Sequence, residues 1–269
     1  MLYRNRLLVL LFLLSAASLA LAQKQSSEVF EIPLSDPNAP GKLRVDLHDG
    51  SITVEGYSGK DVILSLVTYG RNEGSSTSKN GLKRIPNVGS GFEIVEADNV
   101  VMVQGSRKSR MDFIIKVPWE FSLYLGAHHN GDIKVNNVKG EFELDSHHGG
   151  IKLTDIEGAV VADTHHGAIV ANFKSIQSNT PMAFSTYHGD VDITFPASTN
   201  ATVKMRSEKG DIYTDFDLQL NTPKPKTVPM AKGGSRIEVS QWIQSDIGSG
   251  GPSFMFTTHH GDVILRKAD

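Results

Sequence analysis

The chain contains no cysteine in 269 residues. Disulfides are therefore excluded, and so is the lipid-carrying cysteine of a bacterial lipoprotein. Aromatic residues make up only 7% of the chain. They nowhere interleave with a basic patch, which excludes a nucleic-acid surface. No segment carries a long helical period. Long apolar runs are also missing, except near the start. There Arg4 and Arg6 precede an apolar run from Leu7 to Leu14, and small residues end in Ala20-Leu21-Ala22. This is the pattern of a secretory signal peptide cut after Ala22. The run is short for a bilayer span, so no transmembrane span is expected after cleavage. Removing 22 of the 269 residues leaves 247. Arg4 and Arg6 leave with them, so 25 of the 27 basic residues face 30 acidic ones, a charge of −5 with neutral histidine. An exported chain of this kind, without disulfides, must be held together by its core.

What the chain does have is a short corner that recurs seven times. Each corner places a glycine two residues before an isoleucine or valine. The pairs are Gly50/Ile52, Gly131/Ile133, Gly149/Ile151, Gly167/Ile169, Gly189/Val191, Gly210/Ile212 and Gly261/Val263. All ten histidines fall within the three residues before one of these glycines. Ile133, Ile151 and Ile169 are 18 residues apart, and later steps lengthen to 22, 21 and 51. Alternating apolar positions flank each corner, as strands with one buried face require. A unit this small cannot bury its face alone, so neighbours must stack. The odd spacing of Leu144 and Ile151 demands a turn or bulge between them, at Gly149.

The expected fold is all-β: a parallel β-solenoid of two-strand repeats, about 18–22 residues each, behind a less regular N-terminal β region. The expected organisation is a signal peptide at 1–22, an N-terminal β region at 23–110 with a mobile loop at 71–91, and the regular solenoid at 111–269. The polar, Pro/Lys/Gly-rich stretch at 221–234 is expected to be an exposed loop insertion. Val263-Ile264-Leu265 reads as the terminal coil.

Several stretches carry a family resemblance. They are Val117-Pro118, Phe121 to Leu125, Pro181 to Thr186, Gly189 to Pro196, Gly210 to Phe216 and Gly248 to Pro252. Together the chain from about residue 40 to its end resembles the putative-adhesin β-strand-repeat family of bacterial exported proteins, a domain of unknown function. The resemblance implies a parallel β-solenoid, export to the periplasm or cell surface, and no established catalysis. It supplies no catalytic residues. Relatives usually carry Asn-Gly at these corners, which survives at Asn130-Gly131; elsewhere this chain has histidine.

Aligned on the glycines, two columns stand out. Two before the glycine are His48, His129, His147, His165, Tyr187, Glu208 and His259. One before it are Asp49, Asn130, His148, His166, His188, Lys209 and His260. Stacked coils would set equivalent rings about 4.8 Å apart. Imidazole is the commonest transition-metal ligand and suits Zn, Cu and Ni. The candidate metal ligands are His129, His147, His148, His165, His166, His188, His259 and His260. In each histidine pair one ring is expected to face solvent, unless the turn splays both outward. The competing reading is a structural ladder of rings on an adhesin that binds an envelope protein or glycan. A third is a polysaccharide-active enzyme using the aspartates after the glycine, Asp132, Asp190, Asp211 and Asp262. Those aspartates also suit plain turn chemistry. The Ser/Thr column three before the glycine suits a hydroxyl ladder better than a nucleophile. The expectation is a non-catalytic, exported, adhesin-like envelope protein whose histidine strip binds divalent metal.

Overall fold

The computed structural model describes residues 25–69, 78–79, 82–83, 91–105, 107, 109–219, 226–229, 235–238 and 242–268. The signal segment 1–22 lies outside these residues, as does most of the two expected loops at 71–91 and 221–234. Described within those loops are Ser78–Lys79, paired with Leu82–Lys83, and Lys226–Pro229, paired with Ser235–Glu238. The second pair places strand where an exposed loop is expected.

Every regular element among the described residues is a β-strand. Nineteen strands form one large sheet wound into a solenoid-like body. The alternation in sequence explains the winding. In Phe121–His129 the buried residues are Phe121, Leu123, Leu125 and Ala127, with the intervening side chains turned outward. After the corner, Ile133 and Val135 resume burial in Ile133–Asn136. Each coil thus crosses from one face of the body to the other at its glycine.

The coils pair in parallel with matching residues in register. On one face Val45, Leu125, Leu144, Ala162, Phe184 and Phe256 form a continuous row. On the other, Ile52, Ile133, Ile151, Ile169, Val191 and Val263 do the same. Both rows are buried in a single core. Phenylalanines close it across the two faces, with Phe173 and Phe184 edge-on at 6.4 Å and Phe195 and Phe256 at 6.2 Å.

The corner glycines are required by the stacking. Gly167 and Gly189 have φ of 153° and 146°. A Cβ on Gly189 would lie 2.3 Å from the Gly167 carbonyl oxygen, and one on Gly167 would lie 2.4 Å from that of Gly149. Glycine sits on glycine up the corner, and no side chain fits between.

Two expectations are corrected. The large sheet is mixed rather than wholly parallel. Val62–Tyr69 runs antiparallel to both Gln25–Ile32 and Met111–Pro118, and Ala201–Ser207 runs antiparallel to Ile243–Ile247. The hairpin that the alternation at 92–95 and 100–104 predicts is present: Glu93–Ala97 and Val100–Gln104 pair antiparallel about Asp98 and Asn99, both at positive φ. This hairpin closes through a two-residue link, whereas the other antiparallel neighbours are joined through long intervening segments. Within the N-terminal region, Gly41–Asp49 and Ile52–Tyr57 pair in register with Phe121–His129 and Ile133–Asn136, a continuity the sequence left open.

The second correction is topological. The last coil in sequence is not the last in space. Ser253–His260 lies between Met182–His188 and Ala201–Ser207, and Val263–Lys267 lies between Val191–Phe195 and Ile212–Thr214. Burial explains the order. Phe254 and Phe256 are fully buried and stack on Phe195 and Phe184, each at 5.4 Å. The more polar coil, with Glu208, Lys209 and a half-buried Ile212, takes the outer place.

Replacing Ile151 with Asp would bury an unpaired carboxylate in the row. A loss on the order of 3 kcal/mol or more is expected in chemical denaturation. A melt indistinguishable from wild type would contradict the stacking described above.

Candidate functional site

The corner is built from backbone outward. Five hydroxyls three residues before the glycines each donate to the glycine carbonyl of a neighbouring coil. Ser146 donates to Gly131 at 2.8 Å, Thr164 to Gly149 at 2.7 Å and Thr186 to Gly167 at 2.9 Å. Thr258 donates to Gly189 at 2.9 Å and Ser207 to Gly261 at 2.8 Å. These hydroxyls are committed to the corner, so the column is a ladder of hydrogen bonds between coils. The aspartates after the glycine act similarly. Asp132 accepts from the Gly150 amide, Asp190 from the Asp262 amide and Asp262 from the Asp211 amide, at 2.8–3.0 Å. This is the turn chemistry, with carboxylates satisfying amides of the next coil.

The histidines stand on this frame. His129, His148, His166, His188 and His260 form one ladder of stacked rings. Successive centroids are 5.3, 5.1, 5.1 and 4.6 Å apart. The last three steps are within 6° of parallel. His147, His165, Tyr187 and His259 form the second ladder, at 5.2, 5.0 and 4.5 Å. All eight candidate ligands therefore lie on one edge of the body. In the pairs His147–His148 and His165–His166 both rings are exposed, so the turn splays both outward.

The register of the first regular corner differs from the glycine alignment. His129 pairs with Asp49 and stacks on His148, rather than standing with His48 and His147. Asn130, at φ 51°, is the cause. It is one extra residue in the left-handed region, a conformation asparagine tolerates, and it donates to Asp49 at 2.8 Å. His128 therefore takes the place aligned to His129. It lies 6.1 Å from the His48 ring and 3.9 Å from the Asp46 carboxylate. His48 and His128 belong to the strip although neither is among the candidate ligands: His48 stands two before Gly50, and His128, three before Gly131, lies outside the two glycine-aligned columns. The signal was present in sequence as the additional residue in His128-His129-Asn130-Gly131.

Crowding controls the charge of the strip. His147 is held below the ordinary 6.5, first by lost solvation and then by His148, His165, His166 and His128. His188 is lowered by lost solvation and then by His260 and His166. For His260 the causes are lost solvation and then Lys209. Rings this close disfavour one another's protonation, which leaves neutral imidazoles with lone pairs. The neighbouring outward row carries Asp145, whose carboxyl is pushed up by lost solvation and by Asp163 one rung away. Among the described residues His165, His166 and His188 come closest to a metal site: their ligand atoms all lie within 4.8 Å of one another, and all three are exposed.

Fold and edge together define a solenoid-like, all-β stacking protein with imidazole ladders along one corner. The chain belongs to the Toastrack DUF4097 family, matched over residues 22–240. The resemblance to the β-strand-repeat family is thereby borne out. The match stops short of the coil that carries His259 and His260. A putative cell adhesion protein from Clostridium sporogenes is 10% identical, covering 91% of this chain and 100% of its own, with a TM-score of 0.45. A putative adhesin from Bacteroides fragilis is 11% identical, covering 92% of this chain and 98% of its own, with a TM-score of 0.27. Both likenesses are too distant to bear on function. No curated protein matches the chain.

The lowered histidines set a pH dependence. In the unfolded chain they return to about 6.5 and bind protons more readily, so stability is full above that value and falls as the pH drops below it. Metal-free protein is expected to melt at lower temperature at about pH 5.5 than at pH 7.5. The triple variant His147→Asn, His188→Asn and His260→Asn should flatten that slope. An unchanged slope would assign the pH dependence to other groups.

Proposed function

We propose that this chain is an exported, non-catalytic protein of the bacterial cell envelope, at the periplasm or cell surface. It is an adhesin-like binding scaffold whose histidine edge holds a divalent transition metal. In this reading residues 1–22 direct export, residues 23–110 form the less regular part, and coils of 18–22 residues in 111–269 present the strip. One observation carries the metal assignment: three exposed imidazoles, His165, His166 and His188, offer ligand atoms within 4.8 Å of one another. Zinc, copper and nickel all accept imidazole nitrogen, and an exposed set leaves coordination positions for water or a partner's group. The flanking rings of His147, His148, His129, His259 and His260 extend the same ligand type along the edge. A metal held there would bridge the scaffold to an envelope protein or glycan that supplies the remaining ligands.

A purely structural ladder is the second reading, and the near-parallel stacking of His148, His166 and His188 favours it. Titration calorimetry with Zn, Cu and Ni separates the two. Wild type is expected to bind at about pH 7.5 and to lose at least tenfold in affinity by about pH 5.5, as protons compete for the ring nitrogens. Changing His147, His148, His165 and His166 together to Asn should leave the melting curve near wild type and weaken binding by about tenfold or more. Equal binding by both proteins would move the site elsewhere. No binding by either would leave the ladder as a structural feature.

A further inference from the structure

Three corners bring adjacent rings together nitrogen to nitrogen. Nδ1 faces Nδ1 at 2.9 Å in His147–His148, at 2.8 Å in His165–His166 and at 2.8 Å in His259–His260. At such a distance one nitrogen donates a proton and the other accepts it. A neutral imidazole carries one proton. The donor ring therefore leaves its Nε2 as a bare lone pair, and the acceptor ring keeps its own proton on Nε2.

The direction of sharing is decided at the outer corner. Lys209 Nζ lies 2.9 Å from His260 Nε2. A lysine ammonium has donors and no acceptor, so His260 Nε2 must accept and its proton sits on Nδ1. His260 Nδ1 then donates to His259 Nδ1. His259 keeps its proton on Nε2, which lies 3.0 Å from Glu208 Oε2. Glu208 is in turn paired with Arg206. Lys209, His260 and His259 each donate to the next member, and Glu208 accepts at the end of the series from His259 and from the Arg206 guanidinium. The sense is the same at the other end of the strip. His148 Nδ1 lies 3.3 Å from the His128 carbonyl oxygen, which can only accept. His148 therefore also carries its proton on Nδ1.

We infer that the histidine pairs at the two ends of the strip each hold two chemically different rings, and that Lys209 is an internal competitor for the last ligand. At these corners the ring directly before the glycine, His148 or His260, presents a bare Nε2 and supplies the metal ligand, while His147 or His259 keeps Nε2–H and orients its partner through Nδ1. At His165–His166 no such contact sets the direction of sharing, and that pair stays available together with His188. At His148 the ligand nitrogen is open. At His260 the Lys209 ammonium fills it, with Glu208 holding the companion ring. The corner Glu208-Lys209 thus closes the strip at its outer end, where a solenoid would otherwise expose one more ligand pair. This assignment of ligand and orienting roles rests on the metal-binding reading; the tautomers and the lysine contact do not.

Long-range proton–nitrogen NMR on the metal-free, nitrogen-15-labelled protein at about pH 7.5 reads the tautomers directly. The expected pattern is Nδ1–H at His148 and His260, and Nε2–H at His147 and His259, assigned with single His→Asn variants. The opposite tautomer at His260, or an even mixture, would overturn the column assignment. The second measurement is Lys209→Met, which keeps the aliphatic stem and removes the donor. Zinc titration of this variant should show a gain of about one equivalent over wild type. An unchanged stoichiometry, with wild-type binding intact, would overturn the competitor role. If wild type binds no zinc, the metal reading fails by itself. The nitrogen spectrum of Lys209→Met then decides: loss of the single His260 tautomer supports the lysine contact, and its retention overturns it.

Discussion

Everything in this structure depends on the in-register pairing of successive coils. Parallel neighbours lie about 4.8 Å apart, so any residue type repeated at one position becomes a column. The pairing Ile133 to Ile151 to Ile169 is one such column, and the hydroxyls of Ser146, Thr164 and Thr186 are another. The same rule that buries isoleucine on isoleucine also places glycine against glycine at the corner. No Cβ can be tolerated at Gly189, because the Gly167 carbonyl is already there. The corner is thus a consequence of the stack and also its spacer.

Columns constrain charge as strongly as they constrain size. A row of permanent cations at this spacing would repel at every rung. Histidine avoids that by remaining neutral, and lost solvation helps hold His147, His188 and His260 in that form. Tyr187 interrupts the outer ladder with a neutral ring of similar shape, and its stacking on His165 and His259 preserves the geometry. Full charges enter at the two ends: Asp49 stands beside His129 at the first coil, and at the outer coil Glu208 and Lys209 are paired with His259 and His260. The polarity of the strip therefore follows its position along the solenoid.

The insertion of the last coil between two earlier ones gives the body a long-range closure. Ser253–His260 joins Met182–His188 to Ala201–Ser207, so the outer coil is not bonded to the coil that precedes it in sequence along this face. The intervening chain must loop out and return before this part of the core is complete. Such contacts are distant in sequence and carry a larger loop-closure cost than the 18-residue steps before them. The reward is the burial of Phe254 and Phe256 against Phe195 and Phe184.

The sequence by itself determined that the chain is all-β, that the corners stack, and that histidines line one edge. Period, alternation and glycine placement are local properties, and they report local geometry directly. The isoleucine column could be named from spacing alone. The order of the coils could not, because it depends on which apolar surfaces fit between which others, and no spacing encodes that. Antiparallel returns such as Val62–Tyr69 against Met111–Pro118 were hidden for the same reason. The true columns of the strip needed the left-handed conformation of Asn130, which moves His128 and His129 by one column within their coil. Only the tertiary structure brought Lys209 to His260, 51 residues away, and so decided which ring nitrogens are already taken.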